Sequence, residues 1–235
     1  MIKYLDYKRK MHHGVNDMQP ITTRKTTKEL VYDQLKKGIL NGTISRKEIL
    51  TETKLAETLN TSRTPIREAT ADLLNEGLLV HIPRRGYQVR AIEPHELDQI
   101  VYLRSSIEMK GLSLLAKKIT EEEIQLLYKI ISDQEMSIRE MDRITYIELD
   151  QTFHRTMLQL AKQNLLEQIF KELYNLSLLI GHAAITTEGR MEEVIEEHQG
   201  IVKALEEKDE EKAKKCMQSH LSTTIRRARN MEKKK

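Results

Sequence analysis

The apolar pattern at the start of the chain predicts three short helices. Apolar residues recur at helical spacing over 27–40, where threonines precede the run and an Asn-Gly pair ends it. A second helix of barely three turns runs from a Thr51 cap to Asn60. The third begins at a Ser62 cap, and Pro65 lies in its first turn, where the missing backbone N–H does no harm.

After Glu76-Gly77 the apolar period changes from helical spacing to short β-like runs at 78–82 and 87–89. The tetrapeptide Pro83-Arg84-Arg85-Gly86 joins these runs. We therefore predict a hairpin with two arginines at its tip. Three helices followed by a small hairpin are the elements of a winged helix-turn-helix.

Helical periods fill the rest of the chain. The first opens at Glu93-Pro94 and continues through Leu112. The later periods span about 121–140, 144–161, 165–182, 187–206 and 209–231. The fold class is thus mainly α, with the winged helix-turn-helix followed by an antiparallel bundle of six or seven helices.

A chain of 235 residues is long enough for two domains, and we place the boundary near Ala91. The predicted organisation is a loose N-terminal extension over 1–25, a winged helix-turn-helix domain over 26–91, and an all-helical domain over 92–235, whose functions are inferred from their residues below. No flexible Gly/Ser linker separates the last two.

The charges divide between these parts. Residues 1–92 contain 17 Lys and Arg against 10 Asp and Glu, a balance of +7, while residues 93–235 contain 22 against 26, a balance of −4. This asymmetry favours a polyanionic partner for the first part, with a merely solvated basic surface as the alternative.

Cysteine use and hydropathy bear on the compartment. The single cysteine, Cys216, lies in a charged helical stretch and suits a reducing environment. No apolar run reaches the length of a membrane span, and residues 1–20 lack the apolar core of a signal peptide. We expect a cytoplasmic protein with no membrane partner.

Two arginines are candidates for contacting DNA bases. Arg63 and Arg67 are four residues apart, so they project from one side of the third helix, close to its positively polarised N-terminus. In a helix-turn-helix that end enters the major groove, where arginine binds guanine O6 and N7 through two hydrogen bonds. Ordinary surface charge is the alternative.

The segment from Thr27 to Val89 resembles the GntR family of regulators. The most specific part is Ser62-Arg63-Thr64-Pro65-Ile66-Arg67-Glu68-Ala69, followed by Leu73, Glu76-Gly77-Leu78 and Arg85-Gly86. The DNA-binding set that we carry over comprises Ser62, Arg63, Thr64, Arg67, Thr53, Arg84, Arg85 and Gly86.

The resemblance implies that Arg63 and Arg67 recognise bases, that Thr64 contacts backbone or base, and that the turn over 84–86 is the wing contact. One departure is visible, because Leu50-Thr51-Glu52-Thr53 stands where many members have a Pro-Ser-Glu sequence. The phosphate contact expected there is left to Thr51, Thr53 or Lys54.

Four residues of the bundle could bind a metal ion. Asp150 and His154 are four apart on one helix face, and His198 and His220 lie on the last two helices. One carboxylate and three imidazoles suit Zn²⁺, Ni²⁺, Mn²⁺ or Fe²⁺ with a vacant coordination position. Taken one by one, such histidines are usually surface residues or hydrogen-bonded core residues.

The same set resembles the FCD-type C-terminal domain of the FadR subfamily of GntR regulators, in its metal-containing branch. There an Asp-x-x-x-His pair on one helix and single histidines on the last two helices hold a divalent metal. The resemblance implies a metal held by Asp150, His154, His198 and His220, with Zn²⁺ or Ni²⁺ favoured.

Arg104 occupies the place where members of this subfamily carry an arginine facing the ligand cavity. A guanidinium there could hold a carboxylate through two hydrogen bonds. The alternative is an i,i+4 pair with Glu108 on the surface. We expect His182, in an apolar helix, to be a buried and hydrogen-bonded residue.

The function that we predict is a repressor, not an enzyme. It would bind a short inverted-repeat DNA operator with GT/AC steps as a homodimer, under the control of a small organic acid that meets the metal. One alternative is a metal-dependent hydrolase, since Glu148 and Glu197 adjoin the ligand positions, although no motif assigns a general base. Another is a metal that is itself the signal or is purely structural.

Overall fold

The computed structural model describes residues 25–185 and 189–232. Its elements in chain order are α1 (Thr27–Leu40), α2 (Glu52–Thr58), α3 (Arg63–Asn75), β1 (Leu79–Ile82), β2 (Gly86–Val89), α4 (Pro94–Leu115), α5 (Glu121–Arg139), α6 (Arg143–Leu160), α7 (Asn164–Glu172), α8 (Tyr174–Ala184), α9 (Arg190–Glu206) and α10 (Glu210–Glu232). The predicted class is confirmed: three helices and a two-stranded sheet precede seven further helices in the described ranges.

Some predictions lie outside the described residues. The N-terminal extension, apart from Lys25, is one of them, and the predicted start of a helix at residue 187 is another. The side chain of His182 is also outside this set. The division of the chain near Ala91 falls in the connection between β2 and α4 and stays a prediction. We call α1 to β2 the head and α4 to α10 the bundle.

Side-chain caps begin two of the three head helices. The Thr26 hydroxyl accepts from the Glu29 amide and the Glu29 carboxylate accepts from the Thr26 amide, which forms a capping box at α1. Thr51 likewise accepts from the Lys54 amide at α2. Ser62 occupies the N-cap position of α3, as predicted. Its side chain makes no capping hydrogen bond, however, so the predicted side-chain cap is wrong.

The second helix is shorter than predicted. It spans seven residues, about two turns, because the chain leaves helical geometry at Leu59 and adopts a positive φ of 47° at Asn60. The sharp turn brings the start of α3 back against α1 and α2. The apolar side chains of all three helices and of the wing then form one buried core: Val31, Leu35, Ile39, Leu55, Ile66, Ala69, Leu73, Leu78 and Val89.

The wing is tied to the segment that precedes α2. Strands β1 and β2 pair antiparallel, with Leu79 opposite Val89 and Ile82 opposite Gly86. The backbones of Leu50 and Tyr87 exchange two hydrogen bonds of 2.8 Å. This close approach is possible because residue 86 is glycine: its φ is 125°, and a Cβ there would lie 2.2 Å from the Leu50 carbonyl oxygen.

One predicted helix of the bundle is two helices in the structure. The chain turns at Leu173, which ends α7 and begins α8, so the continuous helix predicted over 165–182 is wrong. The physical reason is that the two halves pack in different places. Phe170 of α7 is buried with Ile107 and Leu158 in a cluster of its own, whereas Leu178 of α8 belongs to the main core.

The head contacts the bundle at the end of α3. The Glu76 carboxylate accepts from the Tyr32 hydroxyl of α1 at 2.6 Å and from the Asn175 amide of α8 at 3.1 Å. On the other side of the wing, Arg90 forms an ion pair with Glu96 in the first turn of α4. The head is therefore held against α8 and α4.

We predict that Gly86→Ala lowers the free energy of unfolding by about 3 kcal/mol or more, since a non-glycine residue at this φ is strained and the Leu50 carbonyl must also move. Chemical denaturation measures the change. The matched control is Gly189→Ala, also at positive φ (74°) but with no described atom within 4 Å of its Cβ, which should cost only about 1 kcal/mol. Equal losses in the two variants would contradict the role given to Leu50.

Candidate metal centre and DNA-binding face

Four side chains from three helices meet inside the bundle. Asp150 and His154 lie one turn apart on α6, His198 comes from α9, and His220 comes from α10. One potential ligand atom from each lies within 4.8 Å of the others. His154 Nε2 is 3.2 Å from His220 Nε2, and His198 Nε2 is 3.6 Å from Asp150 Oδ1.

The three histidines are enclosed, while the carboxylate is reachable from a cavity. His154 and His198 are fully buried, and 3% of His220 is exposed. The Asp150 side chain is 15% exposed and lines a narrow cavity of about 20 Å³ together with Tyr146, Arg190 and Thr224. Asp150 is thus the member of the cluster that is most accessible to solvent.

Each imidazole has an oxygen acceptor at Nδ1. His154 Nδ1 is 2.5 Å from Glu108 Oε2, and His220 Nδ1 is 2.7 Å from Glu197 Oε2. Nδ1 of His198 is 3.1 Å from Oε1 of Gln134. Acceptors in these places favour a proton on Nδ1, which leaves the Nε2 lone pairs directed toward one another and toward Asp150.

Among the described residues, these inward-facing nitrogens lack donors of their own. His198 Nε2 is buried without a hydrogen-bond partner. The Nε2 atoms of His154 and His220 face each other, although two lone pairs repel. A divalent cation among the four ligand atoms would satisfy all of them at once, so the residues present fit a metal ion.

Burial keeps the imidazoles of His198 and His220 neutral. Burial, reinforced by the neighbouring His220 and His154, holds the pKa of His198 well below 6.5. Burial also lowers the pKa of His220, although its hydrogen bond to Glu197 opposes the shift. Neutral imidazole is the form that binds metal ions.

The two carboxylates behind the histidines stay ionised. Burial alone would raise the pKa of Glu108, but the charge of Arg104 and the hydrogen bonds with His154 and Arg104 outweigh it and bring the value to about 2. Burial is likewise outweighed at Glu197, where His220 and Arg190 lower the pKa to about 2. An ionised carboxylate is therefore available to accept the Nδ1 proton of His154 and of His220.

Arg104 lies next to this arrangement. Its Nε donates to Glu108 at 2.9 Å, and its guanidinium lies 5.3 Å from the ring centroid of Phe170. The pair with Glu108 thus exists, but it is buried and not on the surface: 6% of Arg104 and 2% of Glu108 are exposed. Nη2 of Arg104 is buried and has no partner among the described residues.

Sequence reasoning missed the residues that support the histidines. The sequence indicates Glu108 only as a surface partner of Arg104, and it gives no sign of Gln134. Glu197 precedes His198 in the chain, but its carboxylate contacts His220 of the next helix instead. No spacing rule could identify these partners, because each contact joins different helices.

The arginines of α3 face solvent and do not pack against the bundle. The side chains of Arg63 and Arg67 are 61% and 64% exposed. Both bind Glu52 of α2: Arg67 through Nε at 3.1 Å and Nη2 at 3.0 Å, and Arg63 through Nη2 at 3.4 Å. The Tyr87 hydroxyl of the wing donates to the same carboxylate at 3.2 Å.

Glu52 therefore connects α2, α3 and the wing, which sequence reasoning did not foresee. Its contact with Arg67 foremost lowers the pKa of Glu52, so the carboxylate is charged. The remaining predicted DNA-contact residues are placed as follows: Ser62, Thr64, Thr53, Arg84 and Arg85 are exposed, and Gly86 is half-buried beneath Leu50.

Two of the three alternatives for the phosphate contact already have partners. The Thr51 hydroxyl accepts from the Lys54 amide, and the Lys54 ammonium binds Glu48 at 2.9 Å. Thr53 is exposed on the same short helix.

Within residues 25–185 and 189–232, no helix combines the length and the apolarity that a membrane span requires.

Known proteins resemble both parts of the chain. The profile of bacterial regulatory proteins of the gntR family matches residues 27–89, and that of the FCD domain matches residues 99–223. The uncharacterized HTH-type transcriptional regulator YdhC of Bacillus subtilis (strain 168) is 30% identical over 192 residues, 81% of this chain and 86% of that protein. The HTH-type transcriptional repressor RspR of Escherichia coli (strain K12) is 25% identical and covers 92% of this chain and 93% of its own length.

The fold is similar to that of a GntR transcriptional regulator from Rhodococcus sp. RHA1, with a TM-score of 0.72, 18% identity, and coverage of 88% of this chain and 99% of that one. At this identity the likeness concerns the fold alone.

The matched domains and relatives are transcription regulators and not enzymes, which excludes the hydrolase alternative. The chain belongs to the GntR family of bacterial regulatory proteins, with a gntR-type DNA-binding part followed by an FCD domain.

Proposed function

We propose that this regulator is a cytoplasmic repressor that binds an inverted-repeat operator as a homodimer and responds to a small organic acid at a metal ion of the FadR-subfamily type. The observation that carries the proposal is the convergence of three imidazole Nε2 atoms and one carboxylate in the FCD domain of a DNA-binding protein. The relative RspR is a repressor by name, which supports the direction of control.

In this proposal Arg63 and Arg67 recognise operator bases. Their exposure and their place in the first two turns of α3 suit an approach to the major groove. Nε and Nη2 of Arg67 donate to the Glu52 carboxylate, and these two hydrogen bonds orient the guanidinium. Nη1 of Arg67 takes no part in them. Arg84 and Arg85 at the wing tip are in a position to contact phosphates, and Ser62, Thr64, Thr53 and Gly86 complete the face.

We expect Arg67→Ala to reduce discrimination at one guanine of each half-site by about 1–3 kcal/mol. Selection of binding sites from a randomised duplex pool, followed by titration of single-base variants, measures this loss. Lys129→Ala removes an exposed cation from α5 and should leave the preferred sequence unchanged. An unaltered preference in the Arg67→Ala variant would rule out base recognition by this residue.

Exposed apolar residues on two packed helices support a homodimer joined through the bundle. Tyr102 and Leu103 of α4 are 72% and 42% exposed, and Leu165 and Ile169 of α7 are 69% and 40% exposed. Helices α4 and α7 contact each other, so these residues lie on adjoining elements. A two-fold dimer places two heads on the two halves of an inverted repeat.

The metal proposal assigns Asp150, His154, His198 and His220 as ligands, with Zn²⁺ or Ni²⁺ favoured over Mn²⁺ and Fe²⁺. When bound, the ion supplies a positive charge and an open coordination position for an acidic ligand. The chain's part is to orient the imidazoles through Glu108, Gln134 and Glu197, and to exclude water from the centre by burying them.

We expect one Zn²⁺ or Ni²⁺ to bind per chain and to raise the free energy of unfolding of the chelator-treated protein, by about 2.7 kcal/mol at a free ion concentration of ~100 times Kd. Asp150→Asn preserves the shape but removes the charged ligand, so most of this gain should disappear. Asp133→Asn, which changes a partly exposed carboxylate of α5, is the matched control. Thermal unfolding with and without metal gives the comparison, and an equal gain in Asp150→Asn and Asp133→Asn would refute the ligand assignment.

The effector proposal rests on Arg104. Its buried Nη2 has no partner among the described residues, and it lies beside Glu108, which contacts the metal-facing His154. A carboxylate on the ion could accept from this nitrogen and would relieve an unsatisfied buried donor. Small organic acids have this chemistry.

Ion pairs connect the centre to the head. Arg104 and Glu108 belong to α4, and the N-terminal turn of α4 binds Arg90 just after the wing through Glu96. Helix α10, which carries His220, is joined to α4 by the Arg229–Asp98 pair and by a 2.6 Å hydrogen bond from Ser113 to Glu210. An acid with different affinity for two packings of α4 and α10 would shift the spacing of the two heads.

We expect a small acid from a panel of monocarboxylates, hydroxy acids and dicarboxylates to change the operator affinity of the metal-loaded protein by roughly 5- to 150-fold. Arg104→Lys keeps a cation beside Glu108 but loses the planar fork, so binding of that acid should weaken by about tenfold or more. Lys110→Gln changes an exposed cation of the same helix and should have no such effect. Fluorescence anisotropy with labelled operator reports both.

Two results would redirect the effector proposal. If chelation alone changes operator affinity in the absence of any acid, the metal itself is the signal. If the Arg104→Lys variant responds to the acid as the wild type does, Arg104 is not the acid's partner.

A further inference from the structure

Arg190 supports one of the metal-facing histidines through a carboxylate. Its side chain is fully buried at the start of α9, and its two terminal nitrogens donate to the two oxygens of Glu197 at 2.7 and 2.8 Å. Glu197 Oε2 is in turn 2.7 Å from His220 Nδ1. A continuous line of charged hydrogen bonds thus leads from Arg190 to the imidazole of His220.

This line crosses between helices. Neighbouring residues of a helix point about 100° apart, so Glu197 cannot support the adjacent His198 and instead reaches His220 of α10. The same guanidinium also donates to Glu193 Oε2 at 3.2 Å and to the Thr224 hydroxyl at 3.1 Å. Its terminal nitrogens therefore make four contacts, which bind α9 to α10 behind the histidine.

The corresponding line on the other side of the centre is built differently. Arg104 contacts Glu108 through Nε alone, and its buried Nη2 is without a partner among the described residues. Arg104 has a terminal donor to offer a ligand, whereas both terminal nitrogens of Arg190 are engaged with protein oxygens. The contacts of Arg104 thus leave a donor for a ligand, whereas those of Arg190 hold protein side chains in place.

We propose that Arg190 is a positioning residue of the metal centre, which acts through Glu197 to orient the imidazole of His220. This assignment rests on the metal site proposed above. A carboxylate that accepts a hydrogen bond from the guanidinium on each oxygen is held in one orientation. The imidazole that is hydrogen-bonded to this carboxylate is then held in one orientation and one tautomer. Without Arg190 the carboxylate is free to rotate away, toward solvent at the edge of α9.

The test is a double-mutant cycle on metal affinity in the full-length protein. Competition with a chromophoric chelator measures the Zn²⁺ affinity of the wild type, Arg190→Gln, Glu197→Gln and the double variant. Each single change should weaken binding by about 10- to 100-fold. The double variant should be no weaker than Glu197→Gln alone, because both residues act through one contact.

The matched control is Glu193→Gln. It removes the other carboxylate partner of Arg190, which also binds Arg227 at 2.8 Å, and leaves the line from Arg190 to His220 intact. Because Glu193 is partly exposed and contacts neither Glu197 nor a metal-facing histidine among its described hydrogen bonds, the Zn²⁺ affinity of this variant should stay within about fivefold of the wild type.

A spectroscopic measurement separates positioning from a general effect on stability. The visible absorption of Co²⁺-saturated protein should differ between Arg190→Gln and the wild type, because the imidazole of His220 is reoriented, while Glu193→Gln should preserve the spectrum. If Arg190→Gln does not fold, Arg190→Lys replaces it in the same cycle, because lysine keeps the buried charge but cannot make the bidentate contact with Glu197.

Additive losses in the double variant, or unchanged affinity and spectrum in the Arg190 variant, would overturn the assignment. A wild-type protein that binds neither Zn²⁺ nor Co²⁺ would overturn the metal site itself, and the role of Arg190 with it. The two failures are therefore distinguishable.

Discussion

An unpaired charge inside a protein costs several kcal/mol, and the bundle of this regulator places two buried arginines, the buried Glu108 and the half-buried Glu197 around three histidines. Their geometry follows from that constraint. Glu108 is held between Arg104 and His154, and Glu197 between Arg190 and His220, so each buried charge has an opposite charge or a hydrogen-bond donor against it. The imidazole Nε2 atoms that face inward are not used by these pairs, and with Asp150 they define the candidate metal centre.

The same pairs join helices that are distant in sequence. Arg104 and Glu108 bring α4 to α6, and Arg190 and Glu197 bring α9 to α10. Because α4 follows the wing directly, one helix is shared between the packing around the centre and the connection to the head. A regulator needs such a connection, since a ligand can affect DNA binding only if the two states of the protein differ at both sites.

The proposed DNA-binding face has a similar arrangement of paired charges at the surface. Glu52 holds Arg63, Arg67 and the Tyr87 hydroxyl, so the arginines of α3 are oriented before any DNA is present. A carboxylate in a basic face also lowers the attraction for phosphates in general. Orientation and local repulsion both favour recognition of a particular sequence over indiscriminate binding.

Local signals in the sequence determined most of the fold. The capping threonines, the 3.6-residue period and the Pro-Arg-Arg-Gly turn act over a few residues, so the three head helices, the wing and the existence of the bundle could be predicted from them. The i,i+4 spacing of Asp150 and His154 likewise depends on one helix alone. The break at Leu173, the turn of Glu197 toward His220 and the bonds of Glu52 to the arginines were decided only by tertiary structure. Each of these features depends on contacts between elements that are far apart in the chain. The residue pattern within one helix or strand does not specify how that element packs against another, so these contacts could not be predicted from it.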